Sequence, residues 1–148
     1  MIGVIVTGHI LFATGMQSAV QAVVGEAEQV AFVDFKEEYS PDTLEQVLRQ
    51  AIAQVDTGDG VLMLTDLFGG TPNNVGVKLL FEYPQLEIVC GANLPMVITA
   101  VLEREDVSLE ELVETVSAPE ITQIKNVRPT IVAAQQAVSE LADDEDGI

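Results

Sequence analysis

His9 is the sole histidine of this chain, and it falls two residues beyond a short β-branched run, Ile2 to Thr7, in the stretch Thr7-Gly8-His9. Imidazole can act as a nucleophile near neutral pH. It does so best when a carboxylate holds one ring nitrogen, fixing the tautomer and leaving a lone pair on the other. Asp66 is the candidate for that carboxylate, because it directly follows Val61 to Thr65, a continuous apolar run of the kind buried on both faces of a parallel sheet. Neither loop carries a lysine or arginine, so an anion formed on the imidazole has to be met by neutral groups. The stretch Gly69-Gly70-Thr71-Pro72-Asn73 offers them. It leads into a helix, and free N–H groups at a helix start, helped by the macrodipole, form a phosphate-sized anion site. Gly70, Thr71 and Asn73 are therefore candidate phosphate-binding residues, with the hydroxyls of Thr71 and Thr7 as further donors.

Other chemistries fit less well. The sequence holds no Gly-x-x-x-x-Gly-Lys-Ser/Thr loop, and Gly3, Gly8 and Gly15 are wrongly spaced for a dinucleotide fingerprint. A Gly-x-Ser-x-Gly elbow is also missing. One histidine, one cysteine (Cys90) and scattered carboxylates give no metal-ligand set, so neither metal nor cofactor is expected.

The elements that must position His9 and Asp66 follow from periodicity. After the first strand, Met16, Ala19, Val20, Val23 and Val24 mark one face of a helix. Val30 to Phe35 reads as a second strand. Ser40-Pro41 opens a helix, with Ser40 as N-cap, and Leu44, Val47, Leu48, Ala51, Ile52 and Val55 recur along it. The turn Asp56-Thr57-Gly58-Asp59-Gly60 precedes the Val61–Thr65 strand. Thr71-Pro72 predicts a cap and first turn for a helix to about Glu82. A fourth strand spans Leu86 to Cys90, a fourth helix Leu94 to Arg104, and Ser108 with Glu111 forms a capping box for a fifth.

Four strand-helix repeats predict an α/β fold, a three-layer sandwich whose mostly parallel sheet is covered on both faces. With strand order 2-1-3-4, the loops after strands 1 and 3 flank the crevice where such sheets bind ligands, and these are the loops of His9 and Asp66. Glu120 to Val127 has strand-like content without a clean period. Arg128-Pro129 separates it from a last helix over about Thr130 to Leu141. Residues 1–142 read as one domain and 143–148 as an acidic tail, a solvated and frayed terminus.

Composition agrees with one domain: 48% of residues are hydrophobic, enough for a core at this length. Acidic residues outnumber basic ones 24 to 6, a net charge of -18, which argues against nucleic acid or an anionic membrane surface as partner. No segment approaches a membrane span and no signal sequence is evident, so a cytoplasmic location is expected.

Three stretches together resemble the enzyme IIA component of the mannose family of the bacterial phosphoenolpyruvate-dependent sugar phosphotransferase system. They are Ile5-Val6-Thr7-Gly8-His9 with Phe12-Ala13-x-Gly15-Met16, then Leu64 to Asn73, and Gly91-Ala92-Asn93-Leu94-Pro95-Met96. The resemblance implies that His9 carries the phosphoryl group and Asp66 is its hydrogen-bonded carboxylate. It implies phosphate arriving from the histidine-containing phosphocarrier protein and leaving to enzyme IIB, with the membrane transport components downstream. It also implies a homodimer in which a late antiparallel strand crosses to the partner's sheet, a home for Glu120 to Val127. Three other readings are a phosphocarrier subunit of a phosphoenolpyruvate-dependent dihydroxyacetone kinase, a receiver-like module phosphorylated on Asp66, and a non-catalytic interaction domain.

Overall fold

The computed structural model describes residues 1–146. Eleven elements follow in chain order: β1 (Gly3–His9), α1 (Phe12–Val24), β2 (Val30–Phe35), α2 (Pro41–Val55), β3 (Val61–Thr65), α3 (Thr71–Leu80), β4 (Leu86–Cys90), α4 (Leu94–Glu103), α5 (Leu109–Ser117), α6 (Pro119–Thr122) and α7 (Val127–Asp146). The strands form one sheet, parallel as the repeats predict, in the order β2-β1-β3-β4 that the commoner small arrangement has.

Alternation along the two central strands builds a core on each face. Val4 and Val6 of β1 and Leu62 and Leu64 of β3 point to the side of α1, α4 and α5, where Ala13, Val20, Val97, Ala100, Leu112 and Val116 meet them. Ile5, Val61 and Met63 point to the other side, against Leu44, Leu48 and Ile52 of α2 and Val75 and Leu79 of α3. Every residue of β3 is buried, which fixes this strand at the middle of the molecule and its exit at the sheet's carboxyl edge.

Caps set the helix starts. Ser40 accepts from the Thr43 amide, with Pro41 in the first turn, and Ser108 and Glu111 form the reciprocal capping box. At the amino-terminal end of the sheet the buried Arg104 guanidinium donates to the carbonyls of Ile2, Glu28, Gln29 and Val101, tying the end of α4 to the strand entries. Burial pushes its pKa below the usual arginine value, and carbonyl dipoles take the place of a carboxylate partner.

Several boundaries differ from expectation. β1 runs on to His9 rather than ending at Thr7, because His9 stays in register with Phe35 of β2. The N-cap of α3 is Gly70, with Thr71 as the first helical residue, and the helix ends at Leu80 rather than Glu82. Residues 120–127 correct the expected late strand: Pro119–Thr122 is a helical turn closed by Gln123 in a left-handed conformation (φ 54°). A strand needs an edge to pair with, and within its own chain this segment has none; Ala118-Pro119 starts a helix instead. The last helix spans Val127–Asp146, longer than expected at both ends, so the acidic stretch from Asp143 to Asp146 is helical; residues 147 and 148 lie outside the described residues.

Candidate functional site

Parallel pairing brings the ends of β1 and β3 side by side, with Thr7 opposite Thr65, so the next residues of both strands arrive at one place. There the His9 amide donates to Asp66 Oδ2 at 2.8 Å, and His9 Nδ1 lies 2.8 Å from the same oxygen. A carboxylate on Nδ1 holds the proton there and leaves Nε2 with its lone pair. The imidazole is 40% exposed while the Asp66 side chain is only 13% exposed, so a protected carboxylate supports an accessible ring.

Besides Asp66, two neighbours crowd the ring. The Phe35 ring centroid lies 6.0 Å from that of the imidazole at an interplanar angle of 72°, a T-shaped contact. Gly70 approaches from the other loop: a Cβ there would stand 2.7 Å from His9 Cε1 and 3.4 Å from Nε2. Gly8 is needed for a similar reason, since its Cβ would lie 2.9 Å from Asp66 Cγ and would strike the Phe12 ring. Directly after His9 the backbone is strained: Ile10, a β-branched residue, sits at φ 54°, held by its amide on the Phe35 carbonyl. Neither Phe35 nor Ile10 carries a local sequence signal of this role; strand pairing brings Phe35 to His9, and the bond to the Phe35 carbonyl holds Ile10 in its positive φ.

The loop from Gly69 to Asn73 is ordered by its own polar groups. The Gly69 amide donates to Asn73 Oδ1, the Gly70 amide to the Leu67 carbonyl, and Asn73 Nδ2 to Thr65 Oγ1. Gly70 therefore gives the site space, and its N–H is engaged. The Asn73 side chain is buried and turned inward, whereas the main-chain amides of Thr71 and Asn73, in the first turn of α3, take no partner among the described residues. Thr71 is half-buried at the rim. Thr7 is fully buried beneath the site, and its Oγ1, like Asp66 Oδ1, has no hydrogen-bond partner among the described residues.

Around His9 the surface is apolar: Ile10, Leu11, Leu67 and Phe68 are exposed, Phe68 at 81%. Among the described residues no three His, Cys, Asp or Glu side chains are grouped to hold a metal ion. No helix among them is long and apolar enough to cross a membrane. The arrangement is thus a single, oriented imidazole facing solvent, beside helix-start amides without partners among the described residues, with exposed apolar side chains around it.

Comparison with known proteins agrees with the resemblance seen in the sequence. The family model described as "PTS system fructose IIA component" (EIIA-man) matches residues 3–117. The PTS system fructose-specific EIIA component of Bacillus subtilis (strain 168) is 30% identical over 118 residues, which cover 80% of this chain and 81% of that protein. The PTS system mannose-specific EIIAB component of Escherichia coli (strain K12) is 30% identical over 113 residues, 76% of this chain but only 35% of that protein's length. Among solved structures, the phosphotransferase system component EIIA from Streptococcus agalactiae superposes with a TM-score of 0.79 at 30% identity, covering 86% of this chain and 98% of that one.

Proposed function

Because the chain belongs to the family of fructose IIA components of the sugar phosphotransferase system, we propose that it is a phosphocarrier whose His9 receives a phosphoryl group from the histidine-containing phosphocarrier protein and passes it to enzyme IIB. The observation that carries this reading is the pair of 2.8 Å contacts between His9 and Asp66 Oδ2. Residues 1–142 form the carrier domain. Membrane transport components act downstream, in the same compartment as a cytoplasmic carrier.

In the proposed step the Nε2 lone pair of neutral His9 attacks the donor's phosphorus in line. The new Nε2–P bond forms as the donor's N–P bond breaks, and the donor imidazole leaves with that electron pair. His9 keeps its proton on Nδ1, so the phosphorylated ring is cationic, and the Asp66 carboxylate faces that charge directly. The amides of Thr71 and Asn73 stand ready for the phosphoryl oxygens, with the Thr71 hydroxyl beside them. Transfer onward to enzyme IIB is the same step reversed onto a new acceptor. No residue needs to change its chemistry between the two.

The test is incubation with labelled phosphoenolpyruvate, enzyme I and the histidine-containing phosphocarrier, beside His9→Ala. The expected product is an acid-labile, alkali-stable label that the variant lacks. Full labelling of a folded His9→Ala protein excludes His9 as the carrier.

A further inference from the structure

Two helices begin beside His9, and their first turns are satisfied differently. α3 starts with amides that take no partner among the described residues. α1 starts at Phe12 with Leu11 as its N-cap, which makes no side-chain cap bond, and no acidic residue stands in its first turn. Its cap comes instead from β2. Asp34 accepts the Thr14 amide on Oδ1 at 2.9 Å and the Thr14 hydroxyl on Oδ2. Both carboxylate oxygens are thus engaged on one residue of α1, 20 positions away in the chain.

The place of Asp34 gives that clamp a second effect. In the sheet Asp34 stands opposite Gly8 and Phe35 opposite His9, so the end of β2 runs beside the residues that carry the imidazole. The chain leaves β1 through Ile10, held at φ 54° by its amide on the Phe35 carbonyl at 2.9 Å, and enters α1 at Phe12. Asp34 and Phe35, adjacent in β2, therefore hold the two ends of one tight turn. The Phe12 ring is pressed on Gly8 inside it, where a Cβ would come within 2.4 Å of Phe12 Cδ1. If α1 drifts from β2, the strained φ at Ile10 loses part of its constraint. Its relaxation rotates the peptide between His9 and Ile10 and moves the backbone that carries the ring relative to Asp66.

We infer that Asp34 is a positioning residue for His9: by binding Thr14 it keeps α1 against β2 and so keeps the imidazole on Asp66. For its kinetic consequence the inference rests on His9 as the phosphoryl carrier. The cause is hydrogen bonding and not charge. Asparagine can make both bonds, accepting the Thr14 amide on Oδ1 and donating from Nδ2 to the Thr14 hydroxyl, whereas alanine can make neither.

The test compares Asp34→Ala, Asp34→Asn and Thr14→Val with the parent, by label uptake over a range of donor concentrations and by nitrogen NMR of the imidazole. The ring signals identify themselves, because His9 is the sole histidine. Asp34→Ala should lower the maximal rate at saturating donor about tenfold while the half-saturating concentration holds, and the Nδ1–H form of the ring should lose its dominance. Thr14→Val, which keeps its amide, should change both readouts less and in the same direction. Asp34→Asn should match the parent in both. A cap that serves stability alone would alter the amount of folded protein and neither readout. A parent-like rate and ring spectrum in folded Asp34→Ala overturn the inference, as does Asp34→Asn behaving like Asp34→Ala, which would make charge the cause. If the parent itself takes no label yet Asp34→Ala still shifts the ring spectrum, the phosphocarrier reading falls and the positioning role stands.

Discussion

The main-chain amide and the ring Nδ1 of His9 share one acceptor, Oδ2 of Asp66, at 2.8 Å each. One carboxylate oxygen therefore fixes both the end of β1 and the imidazole it carries. The other oxygen, Oδ1, is buried without a partner. This predicts a specific result for Asp66→Asn. Its carbonyl can take the place of Oδ2 and keep both donors, which puts the amide NH2 where Oδ1 now has nothing to bond. The variant should fold, with a loss of about 1–3 kcal/mol for the unpartnered donor. Losing the negative charge opposite a phosphorylated, cationic ring should slow labelling by about a hundredfold or more. Urea unfolding and a time course of label uptake check the two parts, and an unchanged rate would remove the Asp66 charge from the mechanism.

Gly70 tests whether the imidazole must stay where Asp66 holds it. An added Cβ would stand 2.7 Å from His9 Cε1, and the ring cannot step aside without lengthening its bond to Asp66. Gly70→Ala should therefore reduce the transfer rate by about ten- to a hundredfold through misplacement of Nε2. Its stability loss should stay within about 1–3 kcal/mol, since the clash is with one half-exposed ring. If label uptake is as fast as in the parent, the ring is free to move and close approach at Gly70 has no role in transfer.

What the residues revealed beforehand tracks how local the cause was. β3 and the placing of Asp66 were legible because four successive apolar residues and a threonine, all buried, read as a central strand. The parallel sheet followed from repeated strand-helix units and the handedness of their connections, whereas the order β2-β1-β3-β4 entered as the commoner small arrangement and was not fixed by particular residues. His9 was legible as a site residue, but its place inside β1 depends on pairing with Phe35, a relation across 26 residues of chain. The strain at Ile10 was invisible, since a β-branched side chain argues against positive φ and only the bond to the Phe35 carbonyl imposes it. The Gly70-Thr71-Pro72 start of α3 admits a proline in either of the first two positions, so the cap moved by one residue. Residues 120–127 have a strand's composition in Ile121, Ile124 and Val127, but within the single chain no sheet edge receives them, and Pro119–Thr122 closes into a helical turn.

Acid stability gives a further prediction from the capping box. The Ser108 backbone N–H, and then its hydroxyl, hold the Glu111 carboxyl below its ordinary value of 4.5. A carboxyl depressed by folding adds stability above its unfolded pKa, and that stability is lost as pH falls through the lower folded value. Glu45 and Glu82 are depressed in the same direction by Lys78 and Arg49, in the ion-pair cluster that links α2 to α3. The parent protein should thus lose stability on acidification from neutral pH to below the ordinary glutamate range. Glu111→Gln should begin less stable and lose less over the same interval. Urea midpoints for both proteins across the pH series supply the measurement, and parallel curves would show that the Glu111 charge contributes nothing.

Phe68 carries the last prediction. It is 81% exposed, two residues beyond Asp66, and with Leu67, Ile10 and Leu11 it forms an apolar collar around a site whose reacting ring is only part-exposed. So large an aromatic in water adds nothing to the fold, and a collar of this kind excludes water when another protein closes over it. Phe68→Ser should leave thermal stability unchanged while raising the donor concentration needed for half-maximal labelling by about tenfold, as expected for loss of an aromatic anchor. The maximal rate at saturating donor should hold, because no contact to His9 or Asp66 is altered. Labelling measured over a range of phosphocarrier concentrations separates the two quantities. A fall in the maximal rate with no change in the half-saturating concentration would mean that Phe68 acts on the chemistry of the site and not on the docking of its donor.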